Sequence, residues 1–111
     1  MDCIFCKIIN RELPADLVFE SENVVAFLDI NPKAKVHVLI VPKKHIESVK
    51  DLKESDKELA GELLLAAKQI AEEKELNGYK LIMNVGKEGG QIVDHLHIHL
   101  VSPDVNCDHK I

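Results

Sequence analysis

Three histidines alternate with apolar residues in the run His95-Leu96-His97-Ile98-His99-Leu100-Val101. In a β-strand successive side chains point to opposite faces, so Leu96, Ile98 and Leu100 would enter a core while His95, His97 and His99 line the other face. Same-face neighbours stand about 6.6 Å apart, two residues at about 3.3 Å each. A merely solvated strand face would draw on Lys, Thr or Glu, and a buried row of imidazoles without partners costs stability. Two kinds of chemistry suit such a row. Three imidazoles can hold a catalytic metal with one open position. Alternatively, the middle imidazole is a nucleophile, held by its neighbours in the tautomer that exposes a lone pair.

The segment just upstream bears on that choice. Asn84-Val85-Gly86-Lys87-Glu88-Gly89-Gly90-Gln91 is rich in glycine. Glycines let backbone N–H groups approach an anion closely, and the Asn and Gln amides add donors. Glycines mostly serve turns, but their place beside three histidines favours phosphoryl chemistry over simple metal binding. The three cysteines, Cys3, Cys6 and Cys107, include one Cys-x-x-Cys pair. Without a visible signal peptide, that pair suggests metal or redox chemistry more than a disulfide framework. Cys107 reads as an ordinary thiol and His109 as a surface residue.

The elements that must position these groups follow from pattern and punctuation. At 111 residues and 12.4 kDa, the expectation is one domain over 1–111. With 46% hydrophobic and 30% charged residues the chain reads as neither disordered nor membranous. A net charge of −5 argues against non-specific nucleic-acid binding. No apolar run is long enough to span a bilayer, and Met1-Asp2-Cys3 lacks the basic lead of a secretory signal. The expected location is therefore cytoplasmic, with neither membrane nor nucleic acid as partner. Cys3 to Arg11 reads as a short helix stopped by Pro14. Leu17 to Glu20, Val24 to Asp29 and Val36 to Val41 read as strands. Ser55 and Glu58 form a capping box before a helix whose Leu59, Leu63, Ala66 and Ile70 share one face, ending near Asn77-Gly78. Tyr79 to Val85 and His95 to Val101 complete the strands. This order predicts an α+β fold, an antiparallel five-stranded sheet with one long helix on one face and a short N-terminal helix.

The histidine run resembles the His-φ-His-φ-His-φ-φ signature of the histidine triad family. Further segments are similar, in order: Cys3-Ile4-Phe5-Cys6-Lys7-Ile8-Ile9, Ala26-Phe27-Leu28-Asp29-Ile30-Asn31-Pro32, Val38-Leu39-Ile40-Val41-Pro42-Lys43-Lys44-His45-Ile46 and Gly89-Gly90-Gln91. The resemblance extends from Asp2 to about Val101. It looks closest to the small nucleotide-binding branch, the purine nucleoside phosphoramidases. That resemblance implies a nucleophilic His97 that forms a covalent nucleotidyl-imidazole, which water then hydrolyses. It implies that His95 and His99 orient His97 and bind phosphate oxygens, supported by His37. Asn84, Gly90 and Gln91 would contact ribose or phosphate, and Asp29 the ribose hydroxyls. Ile4, Phe5, Phe27, Leu28 and Ile30 would sandwich a purine whose edge such a slot reads poorly. Alone, Phe5 and Phe27 read as core and Asp29 as a local cap. Zinc-containing relatives imply a structural zinc on Cys3, Cys6, His45 and His95, with no organic cofactor. They also imply a homodimer in which two five-stranded sheets meet near the long helix, Ser55 to Leu76.

Two positions depart from that branch. Ile92 stands where a Ser is frequent, which removes a donor worth about 1–3 kcal/mol if its partner stays buried. Pro103 to Ile111 lacks a Trp-Pro-rich tail, so the leaving group is open. His99, where galactose-pathway nucleotidyl transferases carry Gln, argues for hydrolysis. The rival readings are a dinucleoside polyphosphate hydrolase and a non-catalytic purine nucleotide-binding or scaffold protein.

Overall fold

The computed structural model describes residues 3–32 and 34–103. Five strands form one antiparallel sheet: β1 (Leu17–Glu20), β2 (Val24–Leu28), β3 (Val36–Pro42), β4 (Lys80–Ile82) and β5 (Ile98–Ser102). Their order across the sheet is β1-β2-β3-β5-β4. β3 sits at the centre, and its β-branched run has Val38, Ile40 and Val41 wholly buried, as a strand covered on both faces requires.

The register divides the sheet into two faces. Ala26 pairs with Ile40, and Ile40 with Ile98. These residues point toward α2 (Lys57–Glu73), whose Leu63, Ala66, Ala67, Ile70 and Ala71 pack with them in the larger core cluster. Burying a side chain such as Ile70 contributes about 1.5–3 kcal/mol. Phe27 pairs with Leu39, and Leu39 with His99. That second face is covered by α1 (Ile4–Ile9), where Phe5 joins Val25, Phe27, Leu39 and Val41 in a smaller cluster. One face of the sheet therefore carries most of the core, and the other carries the histidines.

Several boundaries differ from the sequence expectation. Asp56, rather than Ser55, stands at the N-cap position of α2, and its side chain makes no hydrogen bond to the helix. A 3₁₀ turn, Glu54–Asp56, precedes the helix. It brings the Asp56 carboxylate within 3.0 Å of the Lys53 N–H and 2.7 Å of the Lys44 ammonium. Lys44, with the Lys53 N–H, holds that carboxyl below the usual carboxylate range. The helix ends at Glu73 rather than near Asn77-Gly78, and Glu75 takes the left-handed conformation (φ 55°). β4 covers only Lys80–Ile82, and β5 begins at Ile98. His95, Leu96 and His97 precede it as a lead-in whose Leu96 N–H donates to the Ile46 carbonyl at 2.7 Å instead of joining the ladder. Among the described residues, no helix is long and apolar enough to cross a membrane.

Candidate active site

His97 is buried, and its Nδ1 lies 2.6 Å from the His95 carbonyl oxygen. A carbonyl only accepts, so Nδ1 carries the proton and Nε2 is left with the lone pair. This is the tautomer a nucleophilic imidazole requires. The Phe5 ring meets the imidazole edge-on, with centroids 5.1 Å apart at 85°.

His99, half-buried on β5, stands beside it with ring centroids 4.8 Å apart. Its Nδ1 is 3.0 Å from His37 Nε2, and Asp29 Oδ2 lies 3.4 Å from that same Nε2. A proton on His37 Nε2 suits both neighbours, whereas a bare nitrogen there would face a carboxylate. His37 therefore donates and His99 Nδ1 accepts, which leaves the His99 proton on Nε2. Burial, with His97 and His37 nearby, lowers the His99 pKa to about 4, so the ring is neutral at pH 7. The result is one imidazole with a free lone pair next to another with a free N–H. Asp29 Oδ1 accepts the Asn31 N–H at 2.8 Å, so Asp29 is a local cap and a member of this chain at once.

A second constellation adjoins the first. Cys3 Sγ is 3.3 Å from His95 Nδ1, Cys6 Sγ is 3.3 Å from His45 Nδ1, and the two Nδ1 atoms are 3.2 Å apart. All four donor atoms lie within 4.8 Å of one another. Tetrahedral zinc with N and S ligands has edges of about 3.3–3.8 Å, so the donor set fits such an ion. His95 Nε2 donates to the Pro42 carbonyl at 2.8 Å, which turns a bare Nδ1 toward the thiols. Burial, with Cys3 beside it, pushes the Cys6 thiol up, an effect that a cation at the centre would oppose. His95 has no exposed surface, and both ring nitrogens are committed. The resemblance assigns His95 to orienting His97 and binding phosphate; here its ring faces the thiols and Pro42, and its main-chain oxygen faces His97.

The glycine-rich loop also differs from a simple anion cradle. The N–H groups of Gly89 and Gln91 donate to the Gly86 carbonyl, and that of Gly90 to the Lys87 carbonyl, all at 3.0–3.1 Å. Gly86 N–H donates to Gln91 Oε1 at 2.9 Å. These amides are spent inside the loop, because its three residues Lys87–Gly89 close a 3₁₀ turn. The Gln91 side chain is likewise turned inward, whereas Asn84 lies against Gly90, whose φ of 87° demands glycine.

Comparison with known proteins bears on the family and the fold. A family model described as "Scavenger mRNA decapping enzyme C-term binding" matches residues 2–110. An uncharacterized HIT-like protein of Synechococcus elongatus is 46% identical over 101 residues, which is 90% of this chain and 89% of that protein. The chain belongs to the histidine triad (HIT) family. A HIT family hydrolase from Clostridium thermocellum superposes with a TM-score of 0.93 at 47% identity, covering 99% of this chain and 96% of that one. A histidine triad nucleotide-binding protein from Candida albicans gives a TM-score of 0.83 at 34% identity, over 89% and 73%.

Within this HIT protein the apolar residues expected around a base divide by face. Phe5 and Phe27 touch edge-on, centroids 5.4 Å apart, beneath the histidines. Leu28 pairs with Val38, so the register points it to the α2 face, away from Phe27. Ile4 is part-exposed, while Ile30 (86%) and Ile92 (93%) are almost wholly exposed. Sequence reasoning missed the carbonyls of Pro42, Glu47 and His95, which fix the imidazoles and the loop. No side-chain pattern signals a carbonyl acceptor.

Proposed function

We propose that this HIT protein is a hydrolase of purine nucleoside phosphoramidates, or related nucleoside monophosphate conjugates, acting through a nucleotidyl-histidine. The observation that carries the reading is the tautomer pair, a bare His97 Nε2 beside a protonated His99 Nε2. His97 Nε2 attacks the α-phosphorus, and the bond from phosphorus to the leaving amine breaks. The amine takes the His99 Nε2 proton. Water then attacks phosphorus, the bond to His97 breaks, and the water proton goes to His99 as the monophosphate departs. Splitting one displacement into two is the benefit of covalent catalysis. Asp29 and His37 hold His99 in its donor tautomer, and Asp29 is the candidate ribose acceptor. Asn84 is the loop side chain best placed to meet ribose or phosphate, alongside Gly90.

We further propose a zinc held by Cys3, Cys6, His45 and His95. With four protein ligands it serves structure, tying α1 to the segment that carries His97, and suits a reducing cytoplasmic compartment. A homodimer is proposed from the uncovered edge: Leu81 and Ile82 on β4, with Tyr79 and with Leu64 and Leu65 on α2, leave apolar surface exposed.

The test is rapid mixing of adenosine 5′-phosphoramidate with protein, followed by intact-mass analysis. A transient nucleotidyl adduct and amine burst are expected, both abolished in His97→Ala, which should still bind adenosine monophosphate. Substantial turnover by His97→Ala would exclude the mechanism. Binding without turnover by the wild type would favour a scaffold, and preference for dinucleoside polyphosphates a different hydrolase. Light scattering should give about twice the 12.4 kDa chain mass.

A further inference from the structure

Gln91 is only 7% exposed, although the residues on either side of it, Gly90 and Ile92, are exposed. Its amide reaches three separate stretches of main chain. Oε1 accepts the Gly86 N–H at 2.9 Å, and Nε2 donates to the Glu47 carbonyl at 2.6 Å and the Val93 carbonyl at 2.9 Å. A primary amide has two N–H donors, and both are taken. A phosphate or ribose oxygen acting as acceptor finds no donor on this side chain.

The three partners are informative. Gly86 begins the loop. Val93 lies on the chain running into His95 and packs against the cluster that contains Phe5 and Phe27. Glu47 is two residues beyond His45, and the intervening Ile46 carbonyl accepts the Leu96 N–H, between His95 and His97. The 45–47 segment is thus bonded on one side to the loop and on the other to the histidine lead-in. Gln91 supplies a side-chain hydrogen bond that links that segment to the loop.

We propose that Gln91 is a positioning residue, which braces residues 86–93 against residues 45–47 and thereby holds the His95–His97 lead-in where His97 Nε2 can attack. The proposal rests on the phosphoramidase reading for its kinetic consequence, but not for its structural one. Small displacements of a reacting group lower the chemical step much more than they lower binding of the rest of the substrate. A side chain that touched the nucleotide directly would act chiefly on affinity.

Two variants separate these cases. Gln91→Met removes all three hydrogen bonds, and Gln91→Glu keeps an acceptor for Gly86 while losing both donors. Amide hydrogen exchange is measured first, on protein without nucleotide. Gln91→Met should exchange faster at Gly86 and Leu96, whereas Gln91→Glu should do so at Leu96 with Gly86 close to wild type. Turnover of adenosine 5′-phosphoramidate should fall about tenfold in kcat for both, with KM within about twofold. Unchanged exchange at Leu96 in both folded variants overturns the proposal, as does a raised KM with kcat unchanged. If the wild type turns over no phosphoramidate, the proposed function fails, and the exchange at Leu96 alone decides the role of Gln91.

Discussion

Phe5 stands edge-on to His97, with ring centroids 5.1 Å apart and planes at 85°. The same phenyl ring touches His95 at 5.8 Å and Phe27 at 5.4 Å. A residue on the first turn of the chain's first helix is therefore a wall for the candidate nucleophile. Phe5→Ala should cost about 3–5 kcal/mol of stability, the usual range for a buried Phe. It should also lower kcat, since the imidazole loses a neighbour that fixes its plane. Urea unfolding and steady-state kinetics read the two effects. A variant as stable as the wild type would contradict the packing described.

The proposed zinc gives a second expectation. Protein purified without chelator should carry about one zinc per chain by elemental analysis. Cobalt substitution should give thiolate-to-metal absorption in the near ultraviolet, lost in the double variant Cys3→Ser, Cys6→Ser. That variant should lose thermal stability by a larger factor than it loses kcat, because four protein ligands leave no open position for water. Metal removal that abolished turnover while leaving the melting temperature unchanged would reverse the assignment.

Acid should weaken the fold through His99. Its folded pKa is about 4, below the value near 6.5 expected when unfolded. The unfolded chain then binds more protons in that interval, so this contribution is present above about pH 6.5 and lost as pH falls through about 4. Melting temperature should decline across that window, and His99→Gln should flatten the decline. Equal slopes for the two proteins would show that His99 is not responsible.

Gly90 tests the loop. Its φ is 87°, and a Cβ placed there would meet nothing closer than Asn84 Cγ at 3.9 Å. Backbone strain, not crowding, should set the effect of Gly90→Ala, at about 1–2 kcal/mol. Calorimetry checks the cost, and a variant of undiminished stability would mean that the loop readily adopts another conformation.

Much of this was legible because period and chemistry coincided. Val38 and Ile40 announced a central strand, and Leu63, Ala66 and Ile70 announced the helix stripe. The alternating histidines announced one shared face. Where the reading slipped, long-range geometry decided. Phe27 and Leu28 are neighbours on one strand and so point to opposite faces, and it is the pairing with Leu39 and Val38 that fixes which of the two faces each takes. Ser55 and Glu58 suit a helix start, yet the helix begins after Asp56, whose carboxylate is engaged by Lys44 twelve residues earlier. The hydrogen bond from Gln91 to the Glu47 carbonyl was not legible, because nothing local reveals an acceptor forty-four residues away.

His95 turns Nδ1 to the thiols and His45, Nε2 to Pro42 and its carbonyl to His97. Only the last of these touches the candidate nucleophile, and it is main chain, which every amino acid possesses. In the proposed mechanism the imidazole at position 95 is thus an anchor for a peptide group rather than a reagent. On that proposal, a chain that immobilised this peptide by other means could dispense with the ring at position 95 and with both cysteines, because the group facing His97 is main chain.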